Sequence, residues 1–333
     1  MELRRPAVES VLALNAELQG WLRHRALPLW DEHGVDRQSG GYFEHLHQAT
    51  GTGRIEAGGS SRRGRVVARQ IFVFDLGHRL GWRSTRSDPV AHGCEYLFST
   101  MRRGDGLFHT AVSAATREPE ELFSLYEHAF YLFALARLQT HWHAHFPVEE
   151  TALHCLGQLR GRWGKANGRF DEASPPTLPL KSNPHMHLLE AALEWISAAS
   201  ASQREPWAAL ARELVVLCLE HFIDARTGAV REYFAADWQP APGEAGRIIE
   251  PGHQFEWAWL LMRWAESPEC PPEQRELCLE AAARLVDLGE RAGVDPVRGV
   301  AVNELWDDLT VKDAAAKLWP QTCLLYTSPS PRD

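Results

Sequence analysis

The chain has 333 residues, 44% hydrophobic and 24% charged, an ordinary globular composition with ample apolar material for a large core. A formal net charge of -9 argues against nucleic acid, which selects a basic face, and no segment is apolar for long enough to span a bilayer. Six cysteines, at 94, 155, 218, 270, 278 and 323, form no CxxC pair; zinc and redox readings are therefore weak, and a reducing cytoplasm is the default setting.

The opening "MELRRPAVESVLALNAELQGWL" reads as a helix, because it has neither a long apolar run nor a small-residue cleavage site. Extended and helical segments then alternate. "GGYFEHL" precedes "VVARQIFVFDLGHRLGW", "GDGLFHT" precedes "LYEHAFYLFALARL", and "NGRFDEA" precedes "NPHMHLLEAALEWISAA" and "PWAALARELVVLCLEHF". "TGAVREYF" then leads to "EPGHQFEWAWLL" and "PEQRELCLEAAARLVDLGERA", and "RGVAVNEL" to "KDAAAKLWPQT". The helical segments place apolar residues at three-four spacing. The glycines of the extended pieces, Gly40, Gly106, Gly168, Gly228 and Gly299, recur roughly every 60 to 70 residues, about two helices plus loops.

A repeated helix pair cannot bury its apolar face alone and must stack on its neighbours. Extended pieces at regular intervals favour a closed ring of helical hairpins over an open solenoid. Five units are visible, where a six-hairpin ring wants one more. "KDAAAKLWPQT" starts a helix, whereas "CLLYTSPSPRD" carries two prolines that forbid its continuation and matches nothing in the repeat. The expected division is one helical domain over 1–322, lacking its last hairpin, and a non-native tail over 323–333.

A few polar side chains stand out against these apolar faces. His253 and Glu256, at i and i+3, project from one face of the helix that starts after Pro251 and Gly252. By itself such a pair is most often structural. Asn183 and His187 share a face in "NPHMH", and Pro184 in the first turn makes Asn183 a candidate N-cap. His185 points elsewhere and reads as a bystander; two histidines at i and i+2 do not make a helical metal site, so no metal is expected. Arg69 is a lone cation in an apolar run that could pair with a carboxylate such as Asp75.

"ARQIFVFDL", "NPHMHLLEA", "EPGHQFEWAWLL" and "KLWPQT", in this order, resemble the N-acylglucosamine 2-epimerase superfamily, and most of all its mannose and sulfoquinovose isomerase branch. The resemblance implies an all-α (α/α)6 barrel, monomeric or homodimeric, that interconverts small sugars at C1 and C2 with no metal or nicotinamide cofactor. It implies aldose–ketose isomerisation of a free monosaccharide such as D-mannose through a cis-enediolate, with 2-epimerisation of an N-acylglucosamine or cellobiose as the alternative. His253 becomes the acid/base, a group expected to titrate near neutral pH, with Glu256 holding its ring. His187 contacts the sugar and Arg69 stabilises the oxygen where negative charge develops. Asn183, Tyr126, Arg247 and Trp319 join the pocket wall. The family's second catalytic histidine normally follows in the last hairpin, and Cys323 stands where a glutamate often follows "WPQ".

Two other readings compete. A glycoside hydrolase on the same barrel needs paired carboxylates, for which Glu250, Glu256 and Asp75 would have to serve while the histidines stay idle. An inactive helical-repeat protein binding a sugar or a partner would use a concave surface, but the polar residues of interest lie on apolar helix faces.

Overall fold

The computed structural model describes residues 5–49 and 54–327. The chain is mostly helical and divides into two compact units, Met1–Gln158 and Leu159–Asp333. Among the described residues no helix is long and apolar enough to cross a membrane.

The N-terminal unit contains α1 (Arg5–Trp21), α2 (Leu27–His33), α3 (Gly64–Arg79), α4 (Pro89–Tyr96) and α5 (Leu125–His141). Helices α3 and α5 pack together: Val67, Ala68, Ile71 and Phe74 of α3 and Ala129, Tyr131, Leu132 and Leu135 of α5 are buried, as their three-four spacing requires. Helix α6 (Val148–Trp163) carries the chain onward. The C-terminal unit contains α7 (Asn183–Ala198), α8 (Glu205–Leu217), α9 (Pro251–Glu266), α10 (Pro272–Gly293) and α11 (Leu318–Thr327). There α7 packs on α8, α9 on α10, and α9 also touches α7 and α11.

The five glycines that mark the repeat all adopt positive φ, from 66° at Gly299 to 89° at Gly40, a region costly for residues with a Cβ. Each turns a short hairpin, closed by the antiparallel bridges Val35 to Tyr42, Arg102 to Phe108, Gly164 to Phe170 and Ile223 to Val230, and by the ladder of Val294–Asp295 with Val300–Ala301. In three of them an aspartate four residues earlier, Asp36, Asp224 or Asp295, accepts two backbone N–H groups in the turn through one carboxylate oxygen.

Each extended piece then clasps the start of the next helix of its own unit, and the same two bonds recur. Two residues after the glycine, the backbone N–H of Phe108, Phe170, Val230 and Ala301 donates to a side chain near the start of α5, α7, α9 and α11: His128 (3.2 Å), His185 (3.2 Å), Gln254 (2.7 Å) and Gln321 (2.8 Å). The other end of each of these side chains donates back to the carbonyl four residues earlier, of Ser124, Lys181, Glu250 and Lys317. Four residues after the glycine, the side chains of Glu44, Glu172, Glu232 and Asn303 accept the backbone N–H of Arg63, Lys181, Glu250 and Lys317. These groups would otherwise be orphaned at a helix terminus. His185 is therefore a structural latch in its repeat rather than a bystander.

The C-terminal end differs from the sequence expectation in two ways. "KDAAAK" is not helical: Val311–Asp313 forms a strand against Glu304–Trp306, and the helix begins at Leu318. Nor does that helix stop at Thr322. It continues to Thr327, burying Cys323 and Thr327, and the Thr327 hydroxyl donates to the Phe255 carbonyl at 3.2 Å. The two prolines come after Thr327, outside the described residues.

Candidate active site

In the C-terminal unit the repeat places equivalent residues of successive helices side by side. Two residues after each latch side chain come His187 on α7, Glu256 on α9 and Cys323 on α11. His187 Nδ1 lies 3.8 Å from Glu256 Oε1, and Cys323 Sγ lies 4.0 Å from Glu256 Oε2. His187 also donates to Glu190, one turn along α7, at 3.1 Å. Burial and the nearby Glu256 charge push the Cys323 thiol up to about 12.

His253, one residue before its latch Gln254, is buried at 5% exposure. Its carboxylate partner is not Glu256 but Glu232: His253 Nδ1 donates to Glu232 Oε2 at 2.7 Å, and Glu250 follows at 3.7 Å. Glu256 faces His187 instead, because residues three apart on a helix share a face only broadly and the neighbouring helix decides which partner each meets. Glu232 itself is 3% exposed and is steadied by the Glu250 N–H and the Ser182 hydroxyl.

Burial works against the charged form of His253. The Glu232 charge, the hydrogen bond to it, and the charges of Glu250 and Glu256 outweigh that and raise the imidazole to about 10. His253 is therefore an imidazolium at neutral pH, where a group titrating near 7 was expected. Glu250 is raised to about 7 by burial and by the Glu232 charge, against the opposing pull of His253.

Asn183 is not the N-cap of α7. That position belongs to Ser182, and Asn183 turns its side chain toward His253, with Nδ2 3.3 Å from Nε2. Its Oδ1 is buried without a partner. Turning the amide by 180° lets Oδ1 accept from Nε2–H, the arrangement an imidazolium requires. Trp319 covers the other side of the ring, with centroids 4.9 Å apart. It can come so close because Gly252 has no side chain: a Cβ there would lie 2.4 Å from the indole.

Arg247 is not brought to this cluster. It is exposed, pairs with Asp307 at 2.8 Å and lies over the Trp306 ring. In the N-terminal unit, Arg69 and Tyr126 meet: the Arg69 guanidinium donates to the Tyr126 hydroxyl at 3.2 Å and lies 4.0 Å over the Phe130 ring. Arg69 does not pair with Asp75, and among the described residues no carboxylate is bonded to it. Arg65, one turn earlier, is neutralised by Glu127.

Sequence reasoning missed Glu232 and Glu190. A signal for Glu232 existed, since the residue four after the repeat glycine is polar in every unit: Glu44, Thr110, Glu172, Glu232 and Asn303. Glu190 sits at i+3 from His187, the spacing that drew notice to His253 and Glu256.

A histidine buried beside two carboxylates thus sits on a scaffold of helical hairpins. The N-acylglucosamine 2-epimerase (GlcNAc 2-epimerase) family model matches residues 40–328. The chain is 39% identical over 313 residues to "Mannose-6-phosphate isomerase" of Rhizobium meliloti (strain 1021), covering 92% of this chain and 76% of that one. Among solved structures it resembles a D-mannose isomerase (TM-score 0.76, 20% identity, 98% of this chain and 81% of that one). It equally resembles the cellobiose 2-epimerase of Spirochaeta thermophila DSM 6192 (TM-score 0.76, 20% identity, 96% and 78%). The chain belongs to the N-acylglucosamine 2-epimerase family of sugar epimerases and isomerases, and its fold is that of the family's (α/α)6 barrels.

Proposed function

We propose that the protein is an aldose–ketose isomerase acting on a free monosaccharide such as D-mannose, using proton transfer alone and therefore neither metal nor nicotinamide. The observation that carries this reading is His253, buried, bonded to Glu232 through Nδ1 at 2.7 Å and turned toward Asn183 through Nε2. An imidazolium so held starts the reaction as an acid. It gives its Nε2 proton to the pyranose ring oxygen while the anomeric hydroxyl loses its proton to solvent. The neutral imidazole is then the base that takes the C2 proton, giving a cis-enediolate. Returning that proton to C1, as the O2 proton passes to O1, yields the ketose.

The relative named for mannose 6-phosphate raises a phosphorylated substrate as the second reading. Against it, the C-terminal unit surrounds His187 and His253 with Glu190, Glu232, Glu250 and Glu256, a lining that repels a phosphate dianion. Proton NMR in D2O with D-mannose, mannose 6-phosphate, N-acetylmannosamine and cellobiose in parallel tests both. Loss of the mannose C2 proton as fructose appears is the expected result. Turnover of the phosphosugar alone moves the substrate, and deuterium at C2 with an epimer but no ketose moves the reaction to 2-epimerisation. Absence of exchange with any sugar would sink the enzyme reading for this chain.

A further inference from the structure

We propose that the N-terminal unit carries a ligand site of its own, a cleft for a phosphate group between the ends of α3 and α5. His78 and Arg79 line it from the last turn of α3 and His141 from the last turn of α5, with Arg83, Trp142 and His145 just beyond those helices. Its volume is about 440 Å³, within the range of small-molecule sites, about 300–1,000 Å³. In a chain of net charge -9, a concavity that gathers two arginines and three histidines runs against the average surface.

The negative groups nearby are already answered. Asp75 also lines the cleft, but it is buried, accepts a bond from Trp142 and lies in the fields of His141, Arg137 and His78. Asp88 accepts the backbone N–H groups of Val90 and Ala91 at the start of α4 and lies 3.6 Å from His78. Helix C-termini carry partial negative charge, yet their carbonyls are taken. The Gly81 N–H and Arg83 Nη1 donate to the His78 carbonyl, the Trp142 N–H to that of Leu138, and the His143 ring to that of Gln139. Arg79 and Arg83 are paired with no carboxylate among the described residues. Two guanidinium charges thus remain uncompensated, matching the charge of a phosphate dianion. Their planar forks suit its oxygens, the imidazoles add further donors, and Trp142 offers an apolar face to whatever bears the phosphate. The carboxylates around His187 and His253 make the opposite environment. Binding in the cleft does not depend on the isomerase reading.

The test is isothermal titration calorimetry of the full chain with mannose 6-phosphate, inorganic phosphate and D-mannose in separate runs. Mannose 6-phosphate should bind at one site per chain, more weakly as salt is raised, and saturating D-mannose should not displace it. Tighter binding of the sugar phosphate than of inorganic phosphate assigns the cleft to a phosphorylated small molecule; equal binding assigns it to the free ion. Arg79→Gln should weaken either by about tenfold or more, as expected for loss of a charge-assisted pair, and Arg79→Lys should restore part of the loss. Glu232→Gln, in the C-terminal unit, should leave phosphate binding unchanged. Arg79 is exposed, so its variants should melt like the parent chain, and thermal melts check that they do. Absence of binding at millimolar phosphate, binding indifferent to Arg79→Gln, or binding abolished by Glu232→Gln overturns the proposal.

Discussion

Helices α7 and α9 each carry a fully buried histidine near the start, and the two behave in opposite ways. His185 occupies the latch position: a backbone N–H on one nitrogen, a backbone carbonyl on the other, and no carboxylate. Burial alone pulls it down to about 4, so it is a neutral structural ring. His253 sits one residue before the latch of its own helix, faces Glu232 and Glu250, and is lifted to about 10. Position in the repeat decides the partner, and the partner decides the charge. Glu172 and Glu232 complete the comparison. Both hold the N–H that precedes their helix, yet Glu172 is raised to about 7 by burial, whereas Glu232 bonds His253 and lifts the imidazole.

The sharpest way to break this contrast is Glu232→Gln, which keeps an acceptor for the Glu250 N–H and deletes the charge. Turnover of the isomerised sugar should fall by about 100-fold or more, within the range for loss of a tuned acid or base. The His253 resonance, followed by NMR, should titrate far below 10. A pKa that stays near 10 in this variant would remove Glu232 from its assigned role.

Stability should respond next. His185→Leu leaves the Phe170 N–H buried without an acceptor and should cost about 2 kcal/mol in chemical denaturation. His185→Gln installs the side chain that α9 and α11 already use and should cost less than about 1 kcal/mol. Equal losses for the two would mean that the latch is packing and not hydrogen bonding.

The pH dependence of stability separates the two rings. His185, and His128 with it, titrates at about 4 when folded against 6.5 unfolded. The unfolded chain then binds more protons in that window, and stability drops as pH falls from about 6.5 to 4. His253 runs the other way. Its stabilisation is complete below 6.5 and is lost as pH rises toward about 10. Thermal melts across pH should therefore show His185→Gln relieving only the acid limb and Glu232→Gln only the alkaline limb.

The turns carry a modest cost of their own. Gly228 has φ of 77° and open space where a Cβ would go, so Gly228→Ala carries only the left-handed backbone cost of about 1–2 kcal/mol. At Gly168 the added Cβ also meets the Glu213 backbone at 2.8 Å, and the melting temperature should fall further than for Gly228→Ala.

Local pattern alone announced the helices, the repeat and its five turn glycines, because helical periodicity and the left-handed conformation are properties of a few consecutive residues. It also singled out His253, His187 and Asn183, polar side chains on otherwise apolar faces. What it could not supply was pairing. Glu232 reaches His253 across 21 positions of sequence, Glu256 turns to His187 on another helix, and Arg247 is drawn to Asp307, 60 positions away. Asn183 looked like a cap because caps are local, and became a neighbour of His253 because α7 lies against α9. Partners are chosen through space and charge states follow partners, so the tertiary structure alone decided which histidine sits among carboxylates and which is a latch.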